Sequence, residues 1–158
     1  MRNKIALAFL LAGIAPASAH VTLAQSNAMA GSHFVATFRV GHGCSGSPTT
    51  ALRIEIPEGV AMASPQPKPG WTLSIDHDKD KGRVTAITWT GGPLPADEFD
   101  EFAIMLKLPD TAGKLDLPAT QSCAVGEEHW DGNDKDHPVP ELVVLPKDAM
   151  DMMPGMQM

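Results

Sequence analysis

Short runs in which apolar and polar residues alternate at every second position constrain this chain more than any other feature. Phe34, Ala36, Phe38 and Val40 alternate with Val35, Thr37 and Arg39. Leu52, Ile54 and Ile56 alternate with Arg53 and Glu55, and Trp71, Leu73 and Ile75 with Thr72 and Ser74. Residues 84–90 are rich in β-branched side chains and contain Trp89; Phe102, Ile104, Leu106 and Leu108 alternate again, and 142–145 is a last apolar run. A period of two places alternate side chains on opposite faces of an extended chain, so each run reads as a strand with one buried face. The separators are turn-forming: Pro57-Glu58-Gly59, Lys68-Pro69-Gly70, Lys81-Gly82, Gly91-Gly92-Pro93 and Pro109-Asp110. No stretch holds a helical period. The pattern predicts an all-β chain, an antiparallel β-sandwich of seven or more strands.

Both ends depart from this pattern. Arg2 and Lys4 precede an uncharged apolar run, residues 5–15, which ends near Ala17-Ser18-Ala19. A basic start, a short apolar stretch and a small-x-small triplet make a secretory signal peptide, and the apolar run is too short for a bilayer span. Residues 1–19 are therefore read as a leader, 20–147 as one domain and 148–158 as a mobile Met-rich tail. Cleavage after Ala19 leaves 139 of the 158 residues and removes two basic groups, so the formal charge moves from −7 to −9. A chain so acidic has no basic excess with which to neutralise nucleic-acid phosphates. The expected location is a periplasm, with no membrane span in the mature chain.

The cut creates the most specific functional group. His20 becomes the first residue and offers its α-amine and imidazole Nδ1 to one ion as a chelate. Free α-amines titrate near ~7.7–8.0 and imidazoles near ~6.5, so Cu(II) can displace both protons around neutral pH. Nitrogen ligands in a tetragonal arrangement suit Cu(II). Peptidase specificity alone would also leave a His there. The tail carries Met150, Met152, Met153, Met156 and Met158, five of the nine methionines. Thioethers are soft ligands that favour Cu(I); an unstructured terminus of chance composition and a docking segment for an apolar partner are the competing readings.

Cys44 and Cys123 are the only cysteines. Export would place them in an oxidising compartment, where a disulfide is the default. A thiolate copper site needs His and Met close after the Cys; here His129 is six residues beyond Cys123 and the next Met is Met150. His42 lies in the Gly-rich stretch GHGCSGSP, where it is either a metal ligand or a solvated loop residue. His33, His77 and His137 sit among polar or turn residues with no specific role indicated. Glu127, Glu128 and His129 flank Trp130 in an acidic stretch, and Trp130 either caps the sandwich or borders a site.

The succession HVTL, FRVGHGCSGSPTTALRIEIPEGV, PQPKPGWTL, ITWTGGPLP with EFDEF, and LPDTAGKLDLPATQSC resembles the YcnI-like family of exported copper-binding proteins, from His20 to about Leu145. The resemblance implies an immunoglobulin- or cupredoxin-like β-sandwich. It also implies a monohistidine brace for Cu(II), in which the N-terminal His is joined by a carboxylate and a nearby Trp. His20 matches the His and Trp130 the Trp. For the carboxylate, Glu55 is the choice and Glu128 the competitor, with His42 as a further ligand. The implied function is a non-enzymatic copper chaperone or carrier, working with other periplasmic or membrane copper-handling proteins. The alternatives are a copper monooxygenase-like enzyme and a structural or adhesive secreted sandwich without metal.

Overall fold

A computed structural model describes residues 20–149. The leader and the tail methionines from Met150 onward lie outside the described residues. Twelve strands follow in chain order: β1 (Val21–Leu23), β2 (Asn27–Met29), β3 (His33–Val40), β4 (Thr49–Glu55), β5 (Met62–Pro65), β6 (Trp71–His77), β7 (Val84–Leu94), β8 (Asp100–Lys107), β9 (Gly113–Asp116), β10 (Ala119–Cys123), β11 (Glu127–Trp130) and β12 (Glu141–Leu145). No helix occurs among the described residues.

The strands form a four-stranded sheet, β1-β3-β8-β5, a five-stranded sheet, β11-β10-β4-β7-β6, and a three-stranded sheet, β2-β12-β9. Every pairing is antiparallel except β12 with β2, which run parallel. The alternation read from sequence becomes a buried face. Phe38, Phe102, Ile104 and Leu106 from the four-stranded sheet, Leu52, Ile54, Ile87 and Trp89 from the five-stranded sheet, and Leu142 from β12 form one core cluster. Phe102 joins the two larger sheets, edge-on to Trp89 at 5.4 Å and to Trp71 at 5.0 Å between ring centroids. The buried Trp89 indole N–H donates to the Gln66 carbonyl at 3.1 Å, so this ring meets the core without leaving a polar atom unpaired.

Cys44 and Cys123 form a disulfide with a Cα–Cα distance of 6.0 Å. It ties the β3–β4 loop to the end of β10. The same loop passes so close to itself that a Cβ at Gly43 would collide with the Ser47 carbonyl, which explains a glycine between His42 and Cys44. Gly43 N–H donates to Ala96 O at 3.1 Å and Ser47 N–H to Cys44 O at 2.8 Å, closing the loop into a fixed turn.

Candidate metal centre

The rings of His20 and His137 both lie near that of Trp130, and the loop carrying His42 begins beside His20. Val21 pairs with Val40 at the end of the β1–β3 ladder. The next residues are His20 on one side and Gly41 on the other, so the loop carrying His42 leaves the sheet beside His20. The His20 ring lies 5.5 Å from that of Trp130, tilted by 44°. Trp130 ends β11, pairs across to Ala119, and Ala119 pairs with the core residue Ile54. It therefore faces inward and is only 2% exposed. Its indole N–H is buried without a protein partner.

His42 is held in a ligand-ready form. Its Nδ1 lies 2.8 Å from the Gly43 carbonyl, an acceptor only, so Nδ1–H donates there and Nε2 is the nitrogen left to meet another partner. That Nε2 is buried and has no hydrogen-bond partner. Buried polar atoms are rarely left unpaired, and a metal-binding imidazole characteristically donates its other N–H to a carbonyl or carboxylate. The backbone around it is equally fixed: the buried Gln121 amide donates to His42 O and to Thr49 Oγ1, each at 2.8 Å.

The carboxylates divide by strand register. Gln121 pairs with Glu128, so Glu128 shares the inward face of β11 with Trp130. Its Oε2 lies 2.8 Å from His137 Nε2, and the His137 ring lies 5.0 Å from that of Trp130. Glu55 follows the buried Ile54 on β4 and projects from the opposite, exposed face of the five-stranded sheet. The structure thus brings Glu128 to Trp130 and leaves Glu55 across the sheet from it. Glu127 and His129 also face away from the core; they pair with each other at 3.0 Å.

His137 is the residue the sequence reading passed over. Asp134 accepts from its Nδ1 at 2.9 Å and Glu128 takes its Nε2, so the ring bridges two carboxylates and covers Trp130. The Asp134 hydrogen bond, then that of Glu128, raises the His137 pKa above the usual imidazole range; the same bond to His137 lowers that of Asp134. By sign, the His137 contribution to stability is complete below ~6.5 and fades as pH rises through the raised value, whereas the Asp134 contribution is lost as pH falls through its lowered one. The Asp134-x-x-His137 spacing, with Asp134 also accepting the backbone N–H of Asp136 and His137, is the sequence signal that marks this clasp.

Among the described residues, no group of three or more His, Cys, Asp or Glu side chains is arranged to hold an ion unaided. A brace does not require one, because a processed N-terminal His supplies two nitrogens from a single residue.

Comparison with known proteins places the chain in a family and matches its fold. A protein-family profile described as a domain of unknown function, DUF1775, matches residues 20–144. The chain is 32% identical over 153 residues to the copper-binding protein CutI of Bacillus subtilis (strain 168), spanning 90% of this chain and 73% of that one. An uncharacterized Nocardia farcinica protein with an immunoglobulin-like fold superposes with a TM-score of 0.68 at 31% identity, covering 79% of this chain and 97% of that chain. A cohesin module from a Clostridium perfringens family 33 glycoside hydrolase shares the fold at a TM-score of 0.51 and 12% identity, over 82% and 98% of the two chains. With the profile spanning the whole sandwich and the copper-binding relative most of the chain, this protein belongs to the DUF1775 family, the YcnI-like family whose motifs it carries.

Proposed function

We propose that the protein is an exported copper carrier. The mature chain would begin at His20 and hold Cu(II) through the His20 α-amine, His20 Nδ1 and His42 Nε2. The single observation that carries this reading is the buried, unpartnered Nε2 of His42 on the loop beside His20. An imidazole whose Nδ1–H is held by a backbone carbonyl is oriented to offer Nε2 to a metal. Glu128 is the carboxylate nearest in register, reaching the ion by exchanging its His137 partner. Trp130 walls the site and limits access by water. A carrier needs a site that binds and releases, and no step of bond making or breaking is assigned to this one. The tail methionines would supply a separate, softer site for Cu(I). Similarity to a copper-binding relative supports copper as the cargo.

Cu(II) titration of a chain starting at His20 tests the ligand set. His42→Ala should lower the affinity by about 10–100-fold and change the nitrogen hyperfine pattern in electron paramagnetic resonance. Glu128→Gln should weaken binding, while Glu55→Gln should leave it unchanged. Unaltered spectra and affinity in His42→Ala would refute the assignment. A larger loss in Glu55→Gln than in Glu128→Gln would return the carboxylate role to β4.

A further inference from the structure

The outer face of the four-stranded sheet carries side chains that neither the core nor the copper site uses. Three methionines fall among residues 20–149: Met29, Met62 and Met105. Met29 is half-buried on β2. Met62 and Met105 are exposed, at 37% and 45%, and lie on the adjacent strands β5 and β8. Cross-strand register aligns His33, Lys107 and Met62 in one row and Val35, Met105 and Ser64 in the next. Met105 is therefore the diagonal neighbour of Met62 on one side and of the exposed His33 on the other, a spacing of ~7–8 Å that long side chains span.

The one cation in these rows is drawn aside. Lys107 donates to the carbonyl of Gly31, ahead of β3, which holds its ammonium toward the end of the sheet. Around Met105 the surface is apolar and concave: Val35 is exposed beside it, and Val35, Ser64, Pro65, Ala103 and Met105 line one groove. Exposed methionines bury little area, so packing gives no account of two of them set side by side. Their chemistry does: thioether sulfur is a soft ligand that selects Cu(I), and imidazole is a copper ligand as well.

We propose that Met62, Met105 and His33 form a surface site for Cu(I), with two thioether sulfurs and one imidazole nitrogen as ligands. This rests on the reading of the protein as a copper carrier and adds a place for the reduced ion. Three neighbouring strands fix the backbone of all three residues before the ion arrives, so binding has only side-chain rotation to order. The site stands apart from the first one. His33 and Val40 end β3 in opposite directions, ~23 Å apart at ~3.3 Å per residue, and His20 lies at the Val40 end. Cu(I) here and Cu(II) at His20 share no ligand.

The test is an anaerobic Cu(I) titration of the mature chain, carbon-13 labelled at the methionine methyls and followed by NMR. Met62→Leu and Met105→Leu assign the two signals among those of the other methionines; Leu keeps the apolar volume, and a thermal melt verifies folding. The Met62 and Met105 methyls and the His33 ring signals should shift together with one midpoint. Met62→Leu and His33→Ala should each raise the Met105 midpoint about tenfold or more, the scale on which a chelate loses one tethered contact. Absence of these shifts, separate midpoints for the two methyls, or a Met105 midpoint indifferent to either substitution would overturn the site. A doubling of mass with Cu(I) in sedimentation would overturn it too, assigning the ion to a bridge between two copies. The leucine variants should titrate with Cu(II) as the parent chain does. Lost Cu(II) binding with the Cu(I) shifts intact would remove the His20 site alone, and missing shifts with Cu(II) binding intact would remove this one alone.

Discussion

Adding a single residue ahead of His20 is expected to reduce Cu(II) affinity by about 10²–10⁴-fold, the scale on which a second tethered contact exceeds a lone one. The brace depends on one residue presenting an amine and an imidazole to the same ion. With an extra residue, that amine becomes a peptide nitrogen and the new terminus sits one Cα–Cα step, ~3.8 Å, away. Isothermal titration of the two chains measures the difference, with Nα-acetylation of the mature chain as a second route to the same loss. Equal affinity in all three would show that side chains alone bind copper. Proton competition gives a companion expectation. Free amines and imidazoles must lose protons to bind, so affinity should fall steadily as pH drops below ~7. Binding that stays flat to pH 4 would contradict an amine ligand.

The major strands were legible because a half-buried strand alternates. His33–Val40, Thr49–Glu55 and Asp100–Lys107 bury Phe34, Ala36, Phe38 and Val40, then Leu52 and Ile54, then Phe102, Ile104 and Leu106, each set at alternate positions. The short strands were not. β2, β9 and β11 have three or four residues each and carry Asn, Gly, Asp or Glu, so no period can establish itself. Their place is set by partners distant in sequence, as in the parallel pairing of β2 with β12. The sandwich was therefore readable, while of the third sheet only its central strand, β12, was.

The site divides the same way. His20 and His42 stand out because imidazoles are informative residues in informative places, a processed terminus and a Gly-rich loop. The carboxylate is a matter of facing. Glu55 does point away from the core, as alternation requires, but Trp130 faces inward, so outward direction was the wrong criterion for meeting it. The period of two puts Glu128 and Trp130 on one face, but only the pairing of β11 against β10 turns that face inward. His137 belongs to the loop after β11 and comes back over Trp130 through two side-chain hydrogen bonds, a contact that no periodic signal encodes.

Replacing both cysteines should cost the fold more than any other change outside the core. The Cys44–Cys123 bridge spans 79 positions, and closing a loop of that size removes unfolded-chain entropy corresponding to about 4–5 kcal/mol at most, with ~2–4 kcal/mol the usual yield. For a domain of this size, a loss of ~3 kcal/mol lowers Tm by roughly 10 °C. Cys44→Ala/Cys123→Ala is the cleaner variant, because Ser would bury a new hydroxyl at Cys44, which is 4% exposed. The same change should reach copper. His42 is two residues from Cys44, and its carbonyl is held by Gln121, two residues before Cys123. Freeing the loop lets the imidazole sample orientations in which Nε2 no longer faces the site, so Cu(II) affinity should fall, by less than in His42→Ala. Calorimetric melting and Cu(II) titration of the alanine pair check both halves. An unchanged Tm would deny the bridge its structural role. A lowered Tm with undiminished Cu(II) affinity would show that His42 is positioned by Gln121 and Gly43 alone.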